Sequence, residues 1–154
     1  MPNLQDPPPG LFVYRDQTHF DELDAQWILH HSRQIQHVER AQQKLFDTIM
    51  QTTAFDPVTY PDINVVVRKL EVEYLLPLKG VRPFAITLRI LRLRECALTT
   101  AFAFHSEDGN ECYTRGTRVV CKLSMKTGQP TGWTDTFRTR YSQWEQWGKC
   151  GVFE

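Results

Sequence analysis

From residue 31 to residue 52 the chain runs without a glycine or a proline, and its apolar positions fall at Ile35, Val38, Ala41, Leu45, Ile49 and Met50. Steps of three and four place these residues on one face, which predicts an amphipathic helix of about five turns. Asp56-Pro57 and Tyr60-Pro61 follow and stop it. A helix with a single apolar stripe cannot stand alone in water; it has to lie on something flat and apolar. The rest of the chain supplies strands for that purpose.

Residues 11–20 read as a first strand. In residues 68–76, Leu70, Val72, Tyr74 and Leu76 alternate with Lys69, Glu71 and Glu73, the pattern of a half-buried strand. The segment from Pro77 to Gly80 turns the chain. Phe84, Ile86, Leu88 and Ile90 then alternate with Thr87 and Arg89, and the apolar phase flips at Leu91, as a bulge or a strand end would make it. Residues 98–105 and 111–123 flank Glu107-Asp108-Gly109-Asn110, a hairpin-type loop. One long helix and four later strands in meander order give an α+β class, a curved antiparallel sheet wrapped around the helix. Such a sheet leaves a face and an edge open, which favours dimers or tetramers.

The tail from Thr131 contains three tryptophans but no clear period, and the division expected is a disordered lead-in (1–10), one domain (11–141) and a tail (142–154). A chain of 154 residues with 41% hydrophobic content is large enough to build one core. Eighteen residues of each charge sign give no global basic field for nucleic acid. No apolar run approaches the roughly 18 residues of a membrane span. Met1 to Gly10 lacks the basic and apolar regions of a secretory signal. Cys96, Cys112, Cys121 and Cys150 show no metal spacing, and three of them fall in apparent strands as buried free thiols. The expected setting is cytoplasmic.

The chemistry is concentrated in residues 21–41, DELDAQWILHHSRQIQHVERA. Asp24 and His31 stand seven apart on either side of the helix start. A carboxylate, an imidazole and the unpaired N–H groups of a helix N-terminus then share one neighbourhood, which suits attack on a carbonyl carbon. Asp24 also suits a helix cap or an Asx-turn, and His31 a polar helix start. Glu39 reads as a structural partner of Arg40, Lys44 or a backbone group. His19, His37 and His105 read as surface or edge residues. His30-His31 is too tightly spaced for ligation from one helical face, so no metal is expected. No P-loop or G-x-G-x-x-G stretch is present to cradle phosphates.

The segment ELDAQWILHHSRQIQHVERA resembles the signature of the 4-hydroxybenzoyl-CoA thioesterase-like acyl-CoA thioesterases, which have the hot-dog fold. EVEYLLPLKG and VVCKLSMKTGQP follow in the family's order. The resemblance implies that Asp24 is the catalytic carboxylate, as general base or nucleophile, and that His31 is the histidine of one bacterial branch. It also implies that the backbone N–H of position 31 is the oxyanion donor. The substrate would be an acyl-CoA, with coenzyme A part of the substrate and no separate cofactor. Arg92 and Arg94, two apart and so on one face of a strand, fall near the family's basic CoA-contacting segment; Arg89, Arg82 and Lys79 compete for that role. Three departures stand out: Glu22 in place of Asp, Trp27 in place of Gly, and Phe20 and Gln34 in place of Tyr. Trp27 would crowd the turn that approaches the substrate, which leaves open an alternative, a non-catalytic module binding acyl-CoA or another apolar ligand.

Overall fold

The computed structural model describes residues 3–53 and 55–147. In chain order these form β1 (Phe12–Gln17), a short 3-10 turn (Phe20–Glu22), α1 (His31–Met50), a second 3-10 turn (Pro61–Ile63), β2 (Val65–Tyr74), β3 (Pro83–Leu93), β4 (Ala97–Ser106), β5 (Cys112–Lys122) and α2 (Asp135–Trp147). The long helix is where the period placed it. It ends two residues early, at Met50, where the cap Gln51 adopts the left-handed conformation (φ 55°) and returns its N–H to the Asp47 carbonyl.

All five strands make one antiparallel sheet in the order β1-β3-β4-β5-β2. Only β3, β4 and β5 form a meander. β2 does not pair with its successor: it lies at the far edge against β5, and residues 75–82 carry the chain across the end of the sheet to β3. That crossing has a structural purpose. Leu78 accepts from Leu29 N–H (2.9 Å), Lys79 bridges to Ile28, and Gly80 donates to the Trp27 carbonyl (2.8 Å), so the crossover becomes the floor beneath the start of α1. The phase flip at Leu91 is a true register shift, falling between Ile90 and Arg92.

The α1 stripe packs on the inner face of the sheet, with Val38, Ala41, Leu45 and Ile49 against Phe84, Ile86, Leu88, Phe102, Phe104 and Val120, all buried. At Gly116 on β5 a Cβ would fall 2.0 Å from the Glu71 carbonyl oxygen and 2.7 Å from the Phe102 ring, so only glycine fits there. The tail is a helix. Thr134 caps α2 by accepting from Phe137 N–H (3.1 Å), and Trp133, Phe137, Tyr141 and Trp144 join the same core. α2 therefore crosses the domain boundary expected at residue 141, while Cys150 lies outside the described residues. The lead-in is also anchored, since Leu4 is buried with Val13 and Ala85 on the opposite face of the sheet. Cys96 sits in the β3–β4 turn rather than in a strand, and Cys96, Cys112 and Cys121 are free thiols.

Candidate active site

Asp24 lies in the loop between the first 3-10 turn and α1. Its Oδ1 accepts from the N–H groups of Gln26 (2.8 Å) and Ile28 (3.1 Å), and its backbone pairs with Ile28 and Trp27. The Asx-type turn foreseen in the sequence is thus formed. It consumes one carboxylate oxygen and fixes the direction of the other.

His30 caps α1: its Nδ1 accepts from Ser32 N–H at 3.3 Å, and its carbonyl accepts from Arg33 and Gln34. Ser32, Arg33 and Gln34 are thereby satisfied. The N–H of His31 has no acceptor among the described residues, at the positive end of a 20-residue helix. Asp24, His31, Gln34, Tyr74 and Leu76 are walls of one cleft of about 530 Å³. The His31 ring meets the Tyr74 ring edge-on, 6.4 Å between centroids.

The sequence did not single out Tyr74 as a wall of this cleft, although the β2 alternation places it on the inner face. Burial raises its pKa, so at neutral pH the phenol stays protonated and able to donate. The cleft therefore has a tyrosine, delivered by β2 rather than by positions 20 or 34. Gln34 is buried and committed to other duties: its Oε1 accepts from the Thr114 hydroxyl and its Nε2 donates to the Leu29 carbonyl.

The loop that carries Asp24 is tied to α1 by a buried polar cluster. His37, expected at the surface, is fully buried and donates Nε2–H to the Glu22 carboxylate at 3.0 Å. Its Nδ1 lies 3.6 Å from Asp16 Oδ2 and 3.4 Å from Arg40 Nη1. Glu22 also accepts from His19 N–H (2.9 Å), while its carbonyl accepts from His30 N–H (3.0 Å). Burial pushes the Glu22 carboxyl up, but the bonds from His19 and His37 outweigh it and leave the pKa below its usual value. Position 37 precedes Ala41 by one turn of the apolar stripe, and that spacing was the signal for its burial. His105 is likewise buried, on Thr87, with its pKa lowered by desolvation. The expectation of surface or edge histidines thus fails for both. Glu39 pairs with Arg118 on β5 rather than with Arg40 or Lys44.

Trp27 adopts φ 60°, which accounts for the glycine that the resemblance places at this position. The ring does not crowd the cleft: it is 66% exposed and forms no part of the wall. Arg92 and Arg94 do not share a strand face. The register slips just before Arg92, β3 ends at Leu93, and Arg94 already lies in the turn, its N–H on the Ala97 carbonyl. Within one protomer both are roughly 30 Å along β3 from the Asp24 end. Lys79 and Arg82, in the crossover, are nearer and exposed.

No family model matches this chain, and no curated protein sequence matches it. Solved structures do. A thioesterase from Thermus thermophilus, complexed with coenzyme A and zinc, superposes with a TM-score of 0.74 at 20% identity, over 90% of this chain and 96% of that one. A 1,4-dihydroxy-2-naphthoyl-CoA thioesterase from Synechocystis gives 0.74 at 9% identity, covering 86% and 96%. A hypothetical protein from Staphylococcus aureus in complex with CoA gives 0.79 at 13% identity, covering 95% and 90%. The chain therefore has the hot-dog fold, the α+β architecture that its sequence implied.

Proposed function

We propose that this protein is an acyl-CoA thioesterase that hydrolyses the thioester at the cleft between the Asp24 loop and the start of α1. The observation that carries the reading is a backbone-locked carboxylate sharing one cleft with an unpaired helix N-terminal N–H. The thioester carbonyl would accept from His31 N–H, and the oxyanion formed on attack would gain from the helix dipole; one such donor is worth about 3 kcal/mol of barrier. Asp24 Oδ2 would activate water as a general base or attack as a nucleophile. His31 and Tyr74 would orient the acyl group or the sulfur. The CoA-bound and thioesterase structural neighbours support the ligand class.

Lys79 and Arg82, exposed in the crossover, would meet the phosphates of a CoA bound to the same protomer. Arg92 and Arg94 could do so only from a second copy, and a homodimer or homotetramer belongs to this reading. The setting proposed is the cytoplasm.

Asp24→Asn is the decisive variant, because an amide oxygen can still accept from Gln26 and Ile28 and so preserve the turn. On a panel of acyl-CoA esters, free-thiol release by the variant should fall by about a hundredfold or more with the folded state intact. Equal turnover by wild type and Asp24→Asn would refute the role of Asp24. Tight CoA-ester binding without release by the wild type would leave the non-catalytic module as the function.

A further inference from the structure

A second cavity, of about 400 Å³, lies between the C-terminal half of α1 and the inner face of the sheet, and none of its walls is shared with the Asp24 cleft. Its deeper lining is mostly apolar: Leu45 and Ile49 from α1, Ile90 from β3, Val120 from β5, and Trp133 beneath α2. Arg118 interrupts it. This arginine projects from β5 toward the helix with 8% of its surface exposed, donating to Gln42 Oε1 (2.6 Å) and Glu39 Oε1 (3.2 Å).

A guanidinium is an expensive group to place in an apolar wall, and it is commonly balanced there by a carboxylate held in the same dry space. Here the balance is incomplete. The carboxylate that reaches it, Glu39, is half-exposed on the helix surface and contributes a single oxygen at 3.2 Å; the other partner is a neutral amide. Asp62, also in the wall, is committed to Lys122 and Thr134. Among the described residues the other guanidinium N–H groups of Arg118 have no acceptor, and a guanidinium fork suits a bidentate carboxylate. The Trp133 indole N–H, in a side chain 5% exposed, is also buried with no acceptor among the described residues. The volume lies within the range of small-molecule sites.

We infer that this cavity binds an apolar monocarboxylate, of the medium-chain or arylalkyl type, with its carboxylate on Arg118 and its hydrocarbon among Leu45, Ile49, Ile90 and Trp133. Glu39 then acts as a competitor that the ligand's carboxylate displaces toward solvent. The site is separate from the proposed catalytic cleft and does not rest on that reading.

The test uses octanoate as the probe and Trp133 as a built-in reporter, read by calorimetry and indole fluorescence on the full-length protein. Octanoate should bind and octanol should bind markedly more weakly. Arg118→Gln should weaken octanoate binding by about tenfold or more. Glu39→Gln should tighten it several-fold, a gain that a purely structural Arg118–Glu39 pair would not give. Asp24→Asn should leave octanoate binding unchanged, because the two sites share no wall. The inference is overturned if octanoate fails to bind wild type and Glu39→Gln, or if octanol binds as well as octanoate. A changed affinity in Asp24→Asn, above all a gain from removing a like charge beside the carboxylate, would place the probe in the other cleft and overturn it equally. An indole signal that follows protein concentration and ignores octanoate would assign the mouth to a second copy instead. The octanol comparison and Glu39→Gln decide the matter even if Arg118→Gln does not fold.

Discussion

At φ 60° the Cβ of Trp27 crowds its own carbonyl, a strain of about 1–2 kcal/mol for an L-residue. Packing does not offset it, because the ring stands 66% exposed. What holds the conformation is the backbone: Trp27 N–H on the Asp24 carbonyl at 3.0 Å, and Gly80 N–H on the Trp27 carbonyl at 2.8 Å. Those bonds close the turn that aims Asp24, so the strain belongs to the positioning of the carboxylate. Trp27→Gly should keep both bonds, and urea denaturation should find it as stable as wild type or more stable by up to about 1 kcal/mol, the added flexibility of the unfolded glycine chain offsetting part of the relief. A clear loss of stability would mean that the exposed ring has a structural partner. At this scale the sequence disclosed the turn at Asp24 and the oddity of Trp27, since both stand in a local pattern. It did not disclose the partners of Glu22, His37 and Glu39. A buried hydrogen bond across fifteen residues (Glu22 to His37) and a half-exposed ion pair across the helix–sheet gap (Glu39 to Arg118) are made of the same residue types as solvated ones.

Among the elements, α2 is held by a charge rather than by its hydrophobic face alone. Asp62, in the second 3-10 turn, accepts from Lys122 Nζ at 2.8 Å, from Thr134 N–H at 2.9 Å and from the Thr134 hydroxyl at 2.6 Å. Lys122 donates also to the Gly132 carbonyl, and both charged side chains are almost wholly buried. The far end of the helix–helix contact is closed by Arg140, which donates to the Met50 carbonyl at the C-terminus of α1. Asp62→Ala would strand the Lys122 ammonium in a dry pocket and remove the partner of the α2 cap. Chemical denaturation should show a loss of about 3–5 kcal/mol, whereas Lys122→Met, which leaves Asp62 its Thr134 bonds, should lose clearly less. Losses below about 1 kcal/mol in both variants would mean that the pair is exposed to water and weak. None of this was readable beforehand. The aromatic spacing of Phe137, Tyr141 and Trp144 is helical, but its polar surroundings hid it, and Asp62 sits in a segment with no period at all. The strands were read well because alternation is a local property. Their order was not, because whether residues 75–82 turn back or cross over is decided by which neighbour β2 covers best.

For the molecule as a whole, the decisive feature is the β2 edge. Among the described residues β2 pairs on one side only, and its inner face is left open: Leu70 is 37%, Tyr74 49% and Val67 47% exposed. The outer face differs. There Lys69 pairs with Glu71 and Glu73 with Arg115, a charged row that keeps other chains away. An open backbone edge with an apolar inner side and a charged outer side is asymmetric, so a second copy would add to the sheet with its helix on the same side as α1. The cleft lined by Tyr74 and Leu76 lies at the end of this edge, so association there would couple to the reaction proposed at Asp24. In sedimentation, the wild type should run at twice the chain mass, and Leu70→Glu, which puts a carboxylate on the inner side of the edge, should run as a single chain at the same concentration while retaining its circular dichroism. Thioester turnover should fall with the dimer, and raising the variant's concentration until it reassociates should restore both together. A wild type that stays monomeric across the concentration range and still turns over substrate would remove the second copy from the site and leave Lys79 and Arg82 as the cations within reach of its phosphates.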